Sequence, residues 1–136
     1  MAGEPFLDIN VVLRHLLQDH ADHSPRASAL FERIGLGEIE VQATPSVVFE
    51  AIYVLEKTWR VSKTDIRRAI GTILRLPRFN IVEKSRLERA LDLFVERNIP
   101  YIDAYHAVAM DDLGCTQIIS FDHHYDRIPG IERVEP

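Results

Sequence analysis

The sequence predicts an α/β protein with a parallel sheet and helices on both faces of that sheet. Short apolar segments with strand character alternate with longer segments in which apolar residues recur every three or four positions. This alternation is typical of strand–helix–strand units, whose strands run parallel. The turn signals between segments are short, and 136 residues, 46% of them hydrophobic, can bury one core of ordinary size. We therefore expect a single domain over residues 1–136.

Five strands and six helices are predicted along the chain. The strands are expected at 6–9, 41–44, 79–82, 117–120 and 131–134. The helices are expected at 11–18, 24–34, 45–55, 62–74, 85–95 and 102–113. Three of the helices carry start signals, which are Ser24-Pro25, Ser62 with Asp65, and Ser85 with Glu88. Because parallel sheets bind ligands beyond the carboxyl ends of their strands, residues 8–10 and 120–122 are candidate site positions.

Composition narrows the classes of protein that remain. No apolar stretch is long enough for a transmembrane helix, and the first residues lack the features of a secretory signal. Cys115 is the single cysteine, so an internal disulfide is excluded and a reducing cytoplasm is the expected location. The net charge of −5 argues against generic nucleic-acid binding, but residues 57–97 hold eleven Lys or Arg against five Asp or Glu. Such a segment suits a phosphate backbone, although the solvated faces of amphipathic helices also carry such charges.

Four carboxylates lie at strand ends, at helix starts or beside apolar stripes, and they are Asp8, Glu50, Asp103 and Asp122. Each has an ordinary structural explanation when it is taken alone. Asp8 and Asp103 suit helix starts, Asp122 suits a turn, and Glu50 suits the boundary of a helix face. Converging carboxylates remain ionised together when a cation neutralises them, and oxygen ligands without cysteine favour Mg²⁺ or Mn²⁺. Together the four acids predict metal-assisted hydrolysis of a phosphodiester bond.

The order and spacing of these segments resemble a known family. The matching segments are 6–10 with the sequence FLDIN, Glu50, 102–104 with the sequence IDA, 119–122 with the sequence ISFD, and 126–130 with the sequence DRIPG. Over residues 6–134 the chain resembles PIN-domain ribonucleases, specifically the VapC-like toxins of type II toxin–antitoxin pairs. The resemblance implies a three-layer α/β/α sandwich with a central, mainly parallel sheet.

The resemblance also implies a site and its partners. It carries over Asp8, Glu50, Asp103 and Asp122 as catalytic residues and as ligands of Mg²⁺ or Mn²⁺. It gives Asn10, Ser120 and Asp126 supporting roles, whereas His123 and His124 occupy positions to which no role is assigned. The implied activity is that of a metal-dependent endoribonuclease acting on RNA. The implied partners are a cognate antitoxin protein and a second copy of the chain, without any membrane association.

Two other functions remain open on the sequence. The position of Asp8 also suits a phosphatase with an aspartate nucleophile, but such enzymes need a second acid where Asn10 stands, and a late lysine that the chain lacks beyond Arg97. A non-catalytic PIN-like module that binds RNA or protein is the second alternative. His15, His20 and His23 lie within or just after the first predicted helix, but they lack the cysteine partners and spacing of a structural zinc site. His106 lies on roughly the same helix face as Asp103.

Overall fold

A computed structural model describes residues 3–136, which fold into two compact units divided between Lys84 and Ser85. Helices are interspersed with short parallel strands, so the α/β class is confirmed. The strands form two parallel pairs, one in each unit. The single central sheet of a three-layer sandwich therefore stays a prediction. None of the described helices is long and apolar enough to cross a membrane.

The first unit contains four helices and one strand pair. The helices are α1 (Ile9–Leu17), α2 (His23–Gly35), α3 (Ser46–Tyr53) and α4 (Lys63–Leu74), and a π-helical turn (Val54–Thr58) extends α3. Strands β1 (Val41–Ala43) and β2 (Phe79–Ile81) pair in parallel, with Gln42 opposite Asn80. Val12, Ile66 and Phe79 are almost completely buried, because each lies on the apolar face of its element.

The strand predicted at 6–9 is largely wrong. Only a single parallel bridge joins Phe6 to Gln42, through N–H···O bonds that involve the neighbouring Pro5 and Leu7. Asp8 is still extended and its carboxylate caps α1, whereas Ile9 is already helical. Local side-chain capping therefore prevails over the apolar pattern of this short segment.

The second unit contains two helices and the other strand pair. Helix α5 (Lys84–Glu96) precedes α6 (Tyr101–Leu113), and β3 (Gln117–Ile119) pairs in parallel with β4 (Glu132–Val134) across a 3₁₀ turn (His123–Arg127). The Tyr101 hydroxyl donates to the Leu87 carbonyl at 2.8 Å, and its ring meets Phe94 edge to face. Gly114 ends α6 in the left-handed conformation that glycine adopts without steric cost.

The three predicted helix start signals differ in outcome. Ser62 caps α4 as expected, since its hydroxyl accepts from the Asp65 amide at 3.1 Å. Helices α2 and α5 begin one residue before the predicted serines, so Ser24 and Ser85 lie inside the first turn instead of capping it. The Ser24 hydroxyl instead accepts from the backbone N–H of His20 at 3.2 Å.

Candidate metal centre

Asp103 is placed by the start of α6. Pro100 precedes the helix and cannot continue it upstream, and the Asp103 amide donates to the Pro100 carbonyl at 3.1 Å. The Asp103 carboxylate is nearly buried, with 9% of its side chain exposed. It lies in the first helical turn, where the positive end of the helix dipole favours a negative charge.

Asp122 is placed by the turn after β3. Its carboxylate caps the 3₁₀ turn by accepting from the backbone N–H of His124 at 2.9 Å. This hydrogen bond is the largest cause that holds the pKa of Asp122 below its ordinary value. Ser120 supports the arrangement, because its hydroxyl accepts from the Asp122 amide at 2.9 Å. The turn thus presents an ionised carboxylate whose orientation is set by the backbone.

His124 lies between the two carboxylates. Its Nδ1 atom is 2.7 Å from Asp122 Oδ1 and 3.1 Å from Asp103 Oδ2. One ligand atom from each of these three residues lies within 4.8 Å of the other two. Two carboxylate oxygens and one ring nitrogen at this spacing fit a divalent cation. We call Asp103, Asp122 and His124 the three-residue cluster.

A buried tyrosine positions Asp103 from the other side. The Tyr125 hydroxyl donates to Asp103 Oδ1 at 3.1 Å and lies 2.9 Å from Nδ1 of His106. Burial, followed by the charge of Asp103, raises the pKa of Tyr125, so the hydroxyl keeps its proton and remains a donor. Since a tyrosine has one hydroxyl proton, the His106 nitrogen is the donor in the second contact.

Sequence reasoning missed the contribution of His124 and Tyr125. Both belong to the 3₁₀ turn, and their rings reach Asp103 because that turn directs them toward α6. The sequence signals only proximity to Asp122, which is two residues from His124. His106 lies three residues after Asp103 in the sequence, and its Nδ1 atom contacts the hydroxyl of Tyr125.

Asp126 lies outside the three-residue cluster. Its carboxylate is paired with Arg133 at 3.1 Å and with His123 at 3.0 Å. These hydrogen bonds, that of Arg133 first, lower the pKa of Asp126. Arg133 also donates to the Ser120 carbonyl at 3.1 Å. The observed contacts of Asp126 therefore tie the 3₁₀ turn to β4.

Asp8, Asn10 and Glu50 belong to the first unit. The Asp8 carboxylate accepts from the backbone N–H of Asn10 at 3.2 Å and caps α1. This is the helix-start role that the sequence suggests for Asp8 taken alone. Glu50 is exposed on α3, and together with Asn10 it lines a cleft of about 430 Å³. Asn10 lies in the first turn of α1, two residues after Asp8. The predicted site residues are thus divided between the units, with Asp103, Ser120, Asp122 and Asp126 in the second.

Comparison with known proteins identifies the family. The chain is 24% identical over 130 residues to the VapC ribonuclease of Aquifex aeolicus (strain VF5). The aligned region covers 96% of this chain and 95% of that protein. The model of the PIN domain family matches residues 6–131, which include every predicted site residue. The chain therefore belongs to the PIN domain family.

Proposed function

We propose that the protein is a metal-dependent endoribonuclease and the toxin of a toxin–antitoxin pair. Membership of the PIN family and the likeness to a VapC ribonuclease support this function over a phosphatase and over a non-catalytic module. The three-residue cluster supports the proposal structurally, because ligand atoms of Asp103 and Asp122, two acids of the predicted site, lie within 4.8 Å of each other and of His124. The cation we propose is Mg²⁺ or Mn²⁺.

The complete site in this proposal consists of Asp8, Glu50, Asp103 and Asp122. A bound divalent cation would supply a nucleophilic water and would neutralise charge that develops on the phosphate. Asp103 would hold the cation from a nearly buried position that Tyr125 fixes. Asp122 would hold it from the 3₁₀ turn, where the His124 amide keeps the carboxylate ionised.

The acids of the first unit have a separate role in the proposal. Asp8 and Glu50 are exposed, so both remain accessible to a cation and to an RNA phosphate. Asn10 and Ser120 would support the site, Asn10 from the start of α1 and Ser120 through its hydrogen bond to the Asp122 backbone. Asp126 would act indirectly, by holding the turn that bears Asp122.

The proposed assembly and architecture follow from the same family membership. We place the two strand pairs in one central sheet of a three-layer α/β/α sandwich that forms a single domain over residues 1–136. The parallel pairing within both units and the family match over residues 6–131 support this arrangement. A cognate antitoxin would block the site, the toxin would form a homodimer, and its RNA substrate would be met in the cytoplasm.

The test is cleavage of a single-stranded RNA by purified protein with Mg²⁺ or Mn²⁺. The substitutions Asp8→Asn and Asp103→Asn remove one charge each and keep the side-chain shape. Each should reduce the cleavage rate by about a hundredfold or more, because a carboxylate of the metal site is lost. Asp92→Asn, on α5, is the matched control and should retain the activity. A folded Asp8→Asn protein with full activity would remove Asp8 from the site.

A further inference from the structure

The position of His124 in the three-residue cluster is not explained by a site made of acids alone. Its Nδ1 atom lies 2.7 Å from Oδ1 of Asp122. The backbone nitrogen of His124, which donates to the same oxygen, lies slightly farther away, at 2.9 Å. The Nδ1 atom is also 3.1 Å from an oxygen of the nearly buried Asp103. Nδ1 of His124 therefore lies within hydrogen-bond distance of both carboxylates.

The distances from Nδ1 to the two carboxylate oxygens are similar to those between neighbouring ligands of a metal ion. Adjacent ligands of a six-coordinate ion with bonds of about 2.1 Å are about 3 Å apart. The separations of 2.7 and 3.1 Å between Nδ1 and the two carboxylate oxygens bracket that value. Without an ion, a proton on Nδ1 can be donated to these carboxylates. When the neutral ring instead carries its proton on Nε2, Nδ1 can bind the same ion as the two carboxylates.

We propose that Nδ1 of His124 is a protein ligand of the metal centre and that it makes the centre select Mn²⁺ over Mg²⁺. The inference rests on the proposed metal-dependent function and deepens it. Imidazole nitrogen binds transition-metal ions in preference to Mg²⁺, which is a hard ion that favours oxygen. Carboxylate oxygens suit both ions, so an all-carboxylate site discriminates between them less strongly.

The local structure holds the ring in place for this role. The His124 amide is fixed by the capping carboxylate of Asp122, so ring and carboxylate are ordered by the same turn. The adjacent His123 turns away, and its Nδ1 contacts Asp126 at 3.0 Å and Arg133 at 3.0 Å. His123 is therefore a matched control in the same turn with the same side chain.

The test is calorimetric titration of the full chain with Mn²⁺ and, separately, with Mg²⁺. His124→Ala should weaken Mn²⁺ binding by about tenfold or more and Mg²⁺ binding by less than about threefold. His123→Ala should change neither affinity. His124→Asp, which replaces the nitrogen by an oxygen ligand, should bind Mg²⁺ and show a smaller preference for Mn²⁺ than the wild-type protein.

Pulsed electron paramagnetic resonance of the Mn²⁺-loaded protein gives a second, independent readout. A nitrogen coupling to Mn²⁺ is expected in the wild-type protein and in His123→Ala, and its absence is expected in His124→Ala. The wild-type spectrum and His124→Asp decide the question even where His124→Ala fails to fold.

The possible failures are distinguishable. A wild-type protein that binds neither ion would contradict the proposed metal-dependent function itself. Binding of Mn²⁺ without nitrogen coupling, or unchanged or tighter Mn²⁺ binding in His124→Ala, would overturn the ligand role alone. If His124→Ala weakened the binding of Mn²⁺ and of Mg²⁺ equally, the proposed selectivity for Mn²⁺ would be wrong.

Discussion

At the scale of single residues, Asp103 is the most buried member of the three-residue cluster. Burying a carboxylate is costly unless charge or hydrogen bonds compensate it. Here Tyr125 satisfies Oδ1, His124 satisfies Oδ2, and the start of α6 contributes its dipole. The hydroxyl of Tyr125 therefore positions a proposed ligand without being one, and the metal affinity should depend on it.

Tyr125→Phe tests this positioning role. The change removes the donor to Asp103 Oδ1 and leaves the ring packed in the core. We expect the affinity for Mn²⁺ to fall by about tenfold, as for other residues that orient metal ligands. Tyr53→Phe, on the exposed surface of α3, is the control and should leave it unchanged. Equal affinities of wild-type and Tyr125→Phe proteins by calorimetry would show that the hydroxyl does not position the ligand.

Individual residues differ in how far the sequence predicts their surroundings. The capping role of Asp8 and the helix-start position of Asp103 follow from neighbours within a few positions, so local patterns predict them. The contacts of His124 and Tyr125 with Asp103 span 21 and 22 positions. Such contacts depend on how the 3₁₀ turn is placed against α6, which no local pattern describes.

At the scale of single elements, the helix caps also show how far local sequence patterns predict the structure. Ser62 and Ser85 each stand three residues before an acid, so the sequence predicts two equivalent caps. The structure distinguishes them, since α4 begins after Ser62 whereas α5 already includes Ser85. Glu83, immediately before α5, has a left-handed backbone conformation with φ of 61°.

The two serines therefore form a matched pair for mutation. Ser62→Ala removes an observed cap and should lower the free energy of unfolding by about 1 kcal/mol. Ser85→Ala should leave that free energy within about 0.5 kcal/mol of wild type, because alanine is favourable inside a helix. Urea unfolding followed by circular dichroism measures both. Equal losses in the two variants would contradict the observed start of α5.

The packing of α1 on α2 should make stability depend on pH through His15. Its ring stacks on Phe31 at 4.5 Å between centroids, and Nδ1 lies 2.8 Å from the Ser28 hydroxyl. Burial lowers the pKa of His15 below its ordinary value of 6.5, so the folded protein favours the neutral ring. Below pH 6.5 the unfolded chain takes up a proton that the folded protein resists. The stabilising contribution is therefore lost as the pH falls from 6.5 through the folded pKa.

Urea midpoints between pH 7.5 and 5 measure this dependence. His15→Gln should flatten the fall in stability over that range, because glutamine does not titrate. His23→Gln, with more than half of its histidine side chain exposed, is the control and should keep the wild-type slope. An unchanged slope in His15→Gln would show that another group causes the pH dependence.

At the scale of the whole chain, ion pairs reduce the excess of positive charge that residues 57–97 carry in the sequence. The eleven Lys or Arg of residues 57–97 suggest an RNA-binding surface when the segment is counted alone. Arg86 and Arg89 pair with Asp112, and Arg89 also pairs with Asp111, both of which lie outside the counted segment. Hydrogen bonds, that of Arg89 first, accordingly lower the pKa of Asp112. The local excess of positive charge is thus partly neutralised by acids on α6.

The proposed single domain makes a prediction about cooperativity. Trp59, the one tryptophan of the sequence, reports on the first unit. Cys115, the one cysteine, is exposed in the second unit and can carry a thiol-reactive fluorophore. If both units belong to one domain with one central sheet, their unfolding is coupled, because neither can lose its structure while the other remains intact. The urea transitions of tryptophan fluorescence and of the attached fluorophore should then coincide in midpoint and slope.

Two separate transitions would instead show that the units are independent domains, and they would contradict the proposed central sheet. The labelled protein must first show the wild-type circular dichroism midpoint, so that the fluorophore itself does not uncouple the units. Ile66→Ala, in the core of α4, then provides a stricter comparison. The cavity should lower the stability of the first unit by about 2–5 kcal/mol. In one cooperative domain the fluorophore at Cys115 reports that loss in full, whereas in two domains its midpoint does not move.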